Sequence, residues 1–305
     1  MTVSGEYNFW DRILVLKITD LDGRVYELIP QQILGEPPPN NLNIIYEVKK
    51  VLRADPDPGL ITIENAGPEL RKVLAKPFDP VKKPGPKVEI FTGYRSEGVA
   101  TLIYSGEVQE GVSRRQAPNI ITKLRCGVDY HKYLNVLQSK SFGKGTNVLD
   151  ALKSIAKANG RDISWAKELV KKFKKRFING RNFVDNLKAI FTEIAKEFDL
   201  SITGTDSGVI QVSELGYPND DPVILLNESS GLLEAQITNI GVNIKALQQP
   251  RIRPGTLLDV QSFNTADYGR NFTAQSVTHT GDNWSTPNYT TIEAIFFPPR
   301  FTKAA

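Results

Sequence analysis

The hydrophobic period of this 305-residue chain changes twice, and that order constrains the fold more than any single motif. Up to about residue 130, apolar and polar side chains alternate in short runs cut by glycine and proline. From there to about residue 200, apolar residues recur at helical spacing, and from Val242 to Phe297 the alternation returns. Period two implies pleated strands with one buried face; a period near 3.6 implies amphipathic helices. A chain that starts β structure, inserts helices and returns to β structure reads as a scaffold, because no one strand set gathers the polar groups a reaction needs.

In the first part, Ile13 to Ile18 and Val25 to Leu28 flank Asp22-Gly23, a hairpin signal. Glu36-Pro37-Pro38-Pro39 loses three backbone donors and is expected to be a stiff connector. Leu42 to Leu52 places Ile44, Tyr46 and Val48 on one strand face. Asp55-Pro56-Asp57-Pro58-Gly59 reads as a turn, and Leu60 to Ile63 as the next strand. Glu64 to Leu74 is expected to be a short helix, followed by a proline-rich loop over 76–87. Strands are expected at 88–95, 99–109 and Asn119 to Cys126.

In the middle, Val148, Leu149, Leu152, Ile155 and Ala156 share one helical face. So do Val184, Leu187, Ile190, Phe191, Ile194 and Phe198. The openings Asn147-Val-Leu-Asp150 and Asn182-Phe-Val-Asp185 match, so Asn147 (or Thr146) and Asn182 are the expected caps. Leu200 to Val212 reads as a hairpin turning at Asp206-Ser207-Gly208. The last part offers strands at Leu232 to Ile237, Val242 to Leu247, Leu257 to Phe263, Phe272 to Thr278 and Tyr289 to Phe297. Arg253-Pro254-Gly255 and Thr280-Gly281-Asp282-Asn283 read as turns. The fold class is therefore α+β, mainly β, and the expected division is 1–130, 131–230 and 231–305.

Composition narrows the chemistry. One cysteine, Cys126, excludes an intrachain disulfide and a thiolate zinc cage. Two histidines, His131 and His279, leave little for a histidine-rich centre. The sequence shows no signal peptide and no apolar run of membrane-spanning length, so a chain folded in the cytoplasm is expected. The basic run Lys167, Lys171, Lys172, Lys174, Lys175, Arg176 and Arg181 suits a phosphate surface or an acidic partner protein. A solvated amphipathic helix, with Leu169, Val170, Phe173 and Phe177 on its apolar side, explains it without any ligand. The isolated chain is expected not to retard duplex DNA at physiological salt. Gly143-Lys144-Gly145-Thr146 lacks the earlier glycine of a phosphate loop, since position 138 is Gln138. His279 and Asp282, with Ser276 nearby, have the types of a general-base dyad, but no nucleophile elbow accompanies them. A buried structural histidine is the simpler reading, as a buried apolar thiol is for Cys126. No residue is assigned a catalytic, cofactor-binding or metal-binding role.

Several segments together resemble a known family. Val88-Glu89-Ile90-Phe91-Thr92-Gly93-Tyr94, Ile103-Tyr104-Ser105-Gly106-Glu107-Val108 and Arg114 to Thr122 look like the N-terminal domain of tailed-bacteriophage baseplate hub proteins. Ile61 to Ala66 with Leu70-Arg71 resembles the strand and helix of that domain. Ser141 to Thr146 and Val148 to Ala156 look like the hub's inserted helical region, and Gly208 to Val212 like its hairpin. Gly231-Leu232-Leu233, Leu247 to Gly255 and His279 to Asp282 resemble its C-terminal barrel. The likeness covers most of 60–297 and is weaker over 1–59.

The resemblance implies two tail-tube-like β-barrel or sandwich domains with a small inserted α/β domain. It further implies a homotrimeric ring that adapts a hexameric tail tube to a trimeric central spike. Implied partners are further copies of the chain, the tube or a distal tube adaptor, the spike and other baseplate proteins. Genomic DNA would pass the lumen without specific binding. The expected place is the virion tail, after assembly in the host cytoplasm, with no membrane insertion, no cofactor and no enzymatic activity. Two rivals remain: an OB-like module for single-stranded nucleic acid or sugar, and a small hydrolase built on His279. The first expects clustered aromatics, whereas Trp10, Trp165 and Trp284 are dispersed.

Overall fold

A computed structural model describes residues 12–29, 42–53, 57–75, 83–98, 100–127, 136–265, 269–284 and 288–298. The connector at 36–41, Asp55, His131 and Trp10 lie outside the described residues.

In the first part, strands β1 (Arg12–Thr19) and β2 (Val25–Leu28) form the expected hairpin. Asp20 closes its turn by accepting from the amides of Asp22 and Arg24. Next come β3 (Asn43–Val51), β4 (Pro58–Glu64), helix α1 (Pro68–Leu74), β5 (Lys87–Tyr94), β6 (Thr101–Gln116) and β7 (Asn119–Gly127). Helix α1 begins at Pro68 rather than Glu64. Glu64 is held as the last residue of β4, opposite Ile121 of β7, and proline suits a first helical turn. Strand β6 runs to Gln116, well beyond the expected end near 109, because β7 offers partners along its whole length.

The middle holds β8 (Leu137–Phe142), α2 (Val148–Ala158), β9 (Ile163–Trp165), α3 (Lys167–Lys172), β10 (Arg181–Asn186), α4 (Leu187–Phe198), β11 (Leu200–Gly204) and β12 (Ile210–Glu214). Asn147 caps α2, its side chain accepting from the Leu149 amide at 2.8 Å. The matching cap fails. Asn182 lies in β10 opposite Ser141, and Asn186 caps α4 by accepting from the Ala189 amide at 2.9 Å. Phe183 is buried while Val184 faces solvent, which is strand alternation and not a helical stripe. The basic amphipathic helix shrinks to the six residues of α3. Phe177, beyond its end, is buried by pairing with the loop before α2, donating to the Thr146 carbonyl and accepting from Gly145.

The last part contains β13 (Ile224–Leu226), β14 (Leu232–Ile237), β15 (Gly241–Leu247), β16 (Leu257–Val260), β17 (Asn271–Asp282) and β18 (Tyr289–Phe296). Thr280 to Asp282 are not a turn. They continue β17 and pair with Glu47, Tyr46 and Ile45 of β3. Gly281 is required there because a Cβ would lie 2.2 Å from the Asn288 side chain, which crosses over it and accepts from the Asp282 amide.

That β17–β3 pairing decides the architecture. It joins the first and last parts into one 13-stranded sheet of order β14-β15-β18-β17-β3-β4-β7-β6-β5-β1-β2, with β16 also on β17 and β13 on β16. Among the described residues three apolar clusters form the core. One gathers residues from Leu14 to Cys126 and one residues from Leu226 to Phe296. The third, from Val148 to Val212, belongs to the middle segment, where α2 and α4 pack with β11 and β12.

Candidate assembly surfaces

The glycine spacing in β6 has a packing cause. Tyr104 lies fully buried with its ring over two backbones: a Cβ on Gly106 would sit 2.5 Å from its hydroxyl, and one on Gly59 2.6 Å from its ring. Its hydroxyl donates to the Asp57 carbonyl at 3.2 Å. The aromatic-x-Gly pattern is thus a ring that needs two missing side chains, and it locks β4 to β6.

Where the two halves of the sheet meet, the inner face carries a polar seam. His279 Nδ1 lies 3.2 Å from Gln248 Nε2 and 3.1 Å from Thr290 Oγ1. The Tyr94 hydroxyl donates to the Gln248 carbonyl at 2.9 Å, and Tyr46 donates to the Gln248 side chain at 3.4 Å. Asn283 completes the seam by accepting from the Ile44 amide and donating to the Leu42 carbonyl. Burial lowers the pKa of His279 to about 3, and the Lys50 charge adds to that, so the ring is neutral at pH 7. Asp282 is not its partner; it accepts from the Trp284 amide at 2.9 Å. The dyad that the sequence suggested is therefore not formed: His279 is a buried structural group. Burial likewise pushes the Cys126 thiol up to about 12 and the Tyr46 hydroxyl upward.

The opposite sheet face looks to solvent across both halves. The register places Glu234, Lys245, Thr291, Thr278, Lys49 and their neighbours on it in the last part, β17 and β3. Leu60, Thr62, Lys123, Arg125, Glu110 and Arg114 continue it through β4, β7 and β6. There the face curls into a shallow concavity lined by Leu60, Val112, Ile121, Lys123 and Arg114. Acidic and basic groups interleave along it, so it carries no strong field of one sign.

Two ends of the sheet remain open among the described residues. Beyond β1, β2 has no second strand partner, and the same holds for β14 beyond β15. Val25 on β2 and Leu233 on β14 are exposed, and Phe263, beside β14, is almost wholly so. Open backbone donors and acceptors beside exposed apolar groups are a template for another chain; β2 offers them, while on β14 Asn264 already donates to the Ala235 carbonyl at 3.0 Å and part of the edge remains.

The middle segment docks on the first part through an almost fully buried ion pair. Lys50 of β3 meets Asp206 at the tip of the β11–β12 hairpin. Asp206 also accepts from the Ser105 amide at 3.3 Å, and Thr203 donates to the Val51 carbonyl at 3.3 Å. Lys50 continues the inward face of Ile44, Tyr46 and Val48, so the strand alternation places it inside; its distant partner Asp206 is what the sequence does not show. The Gly143-Lys144-Gly145 segment is a turn closed by Thr146 on the Gly143 carbonyl at 2.8 Å. Among the described residues no cluster of His, Cys, Asp or Glu is arranged to hold a metal ion. No helix among them is long and apolar enough to cross a membrane.

Comparison with known proteins identifies the architecture. The sequence matches the family described as baseplate hub gp41 over residues 32–294. The chain belongs to that family. No curated protein sequence matched it. Among solved structures, this hub chain is similar to the 43 kDa tail protein of prophage MuSo2 from Shewanella oneidensis. The TM-score is 0.61 at 10% identity, covering 93% of this chain and 98% of the other. A tail protein from Neisseria meningitidis MC58 gives 0.62 at 9% identity, covering 94% and 97%. The Escherichia coli c3393 protein, a type VI secretion component described as similar to bacteriophage T4 tail proteins gp27 and gp5, gives 0.56 at 11%, covering 89% and 77%. These likenesses show the mainly β tail-protein fold. The family makes the hub a structural protein of the virion tail baseplate, not an enzyme.

Proposed function

We propose that three hub chains close into a ring around an axial channel, joining a hexameric tail tube to a trimeric central spike. The observation that carries this reading is the β3–β17 pairing, which makes one continuous sheet with open strands at both ends. A sheet with two free edges is closed by neighbours, and head-to-tail contacts that close give a ring. In this reading two β units share the ring wall, and the inserted unit keeps its own apolar cluster while docking on the first part through Lys50 and Asp206; strand β13, whose Leu226 packs with the last cluster, goes with the third unit rather than with 131–230. Two β units per chain turn threefold symmetry into six similar positions, which is what a hexameric tube requires.

In this arrangement the solvent-facing sheet surface lines the channel. Its interleaved charges, such as Glu47 and Lys49 or Glu110 and Arg125, let a polyanion pass without holding it. The partners are then two further copies, the tube or its adaptor, the spike and neighbouring baseplate proteins, met during assembly in the host cytoplasm. Analytical ultracentrifugation tests the ring: the expected mass is three times the 33.9 kDa chain. Charges placed on the open edges by Val25→Lys with Leu233→Lys are expected to leave monomer. Duplex DNA is expected not to be retarded by the trimer at physiological salt; tight, salt-sensitive retardation would favour the oligonucleotide-binding alternative instead.

A further inference from the structure

The inserted unit carries a surface that the ring does not use. Strands β8 and β10 form a sheet of their own, and among the described residues neither has a further strand partner. One face of this ribbon packs Phe183 into the core. The register puts Leu137, Ser139 and Ser141 of β8 with Asn182 and Val184 of β10 on the other face. That face is uncharged and exposed: Leu137 is 75% accessible and Val184 64%. At the Phe142–Arg181 end of the ribbon, Ile178 is 83% accessible, and the exposed Lys144, Lys174 and Arg176 sit in the two loops leaving that end. Residues 136–200 hold fourteen Lys and Arg against seven Asp and Glu, although the whole chain is only +4, so positive charge is concentrated here.

We infer that the β8–β10 ribbon is a docking edge for an extended acidic segment of another protein. Main-chain hydrogen bonds to the ribbon edge would supply affinity, apolar side chains at every second position would continue its outer face, and acidic side chains would meet the basic rim. Neither a helical nor a basic partner fits: the open groups are strand groups, and the rim repels cations. The inference goes beyond the ring and does not depend on it, since a monomeric chain keeps the same ribbon.

The test uses the full chain and labelled ten-residue peptides of alternating Glu and Val, with alternating Lys and Val as control. Fluorescence anisotropy is expected to show binding of the acidic peptide only, weakening as NaCl is raised. Hydrogen exchange is expected to slow in β8 and β10. Leu137→Glu with Val184→Glu is expected to weaken binding by about tenfold or more, the added charge repelling the peptide. Val184→Thr, which keeps a β-branched side chain, is expected to retain it, and both variants change exposed positions that the fold does not need. Equal binding of the basic peptide, protection confined to β2 or β14, or undiminished binding by the double Glu variant would overturn the proposal. So would self-association of the hub through the ribbon, which would make the occupant a second copy.

Discussion

At the residue scale, space and protonation set the critical positions. Tyr104 fills the volume that Gly59 and Gly106 leave empty, so Gly106→Val forces the ring or the strand to move. The expected loss is about 1–3 kcal/mol, read from the denaturant midpoint. Histidine 279 gives a pH dependence with a definite sign. Its folded pKa, about 3, lies below the ordinary 6.5, so between these values the unfolded chain binds the proton that the folded chain refuses. The His279 contribution is complete above pH 6.5 and is lost as pH falls toward 3, by at most about 1.4 kcal/mol per unit. His279→Gln is expected to flatten the stability curve across that window. An unchanged slope would mean that other groups govern acid unfolding.

At the scale of elements, pattern was legible wherever a strand or helix decides its own burial. Strand β3 alternates as its sequence does, with Ile44, Tyr46 and Val48 inside, and β14 occupies the residues the pattern marked. Pattern misled where an outside partner decided. Val184 falls on the helical stripe of α4 by coincidence of spacing, but β8 is available to pair, and the helix starts only at Leu187. Asn186→Ala is therefore expected to cost about 1 kcal/mol and Asn182→Ala less than about 0.5, measured by thermal unfolding. The reverse ranking would restore the longer helix. Thr280 to Asp282 spell a turn but extend β17, because their partner β3 lies more than two hundred residues earlier in the chain. The Lys50–Asp206 pair was hidden for the same reason, its partners being distant in sequence. Asp206→Asn leaves Lys50 buried without its counter-charge. The expected cost is about 3–5 kcal/mol, with hydrogen exchange rising first at the β11–β12 hairpin where it docks on β3.

At the scale of the whole molecule, the uninterrupted sheet turns separate strand patterns into a wall. Both halves were legible as β structure, and the family resemblance ordered them, but the join between them was not. It depends on Asn283 standing in for a strand neighbour of Leu42 and Ile44, and on Gln248, which accepts from Tyr46 and Tyr94 of the first half while its amide meets His279 Nδ1 of the last. A wall with two open edges and one mixed-charge face is suited to repeating around an axis. Electron cryo-microscopy of the purified assembly tests this most directly. Three chains are expected in a closed ring, with β2 and β14 in contact with neighbouring copies and Lys49, Thr278 and Thr291 facing the channel. A monomer with both edges bare, or a ring in which that sheet face looks outward, would contradict it.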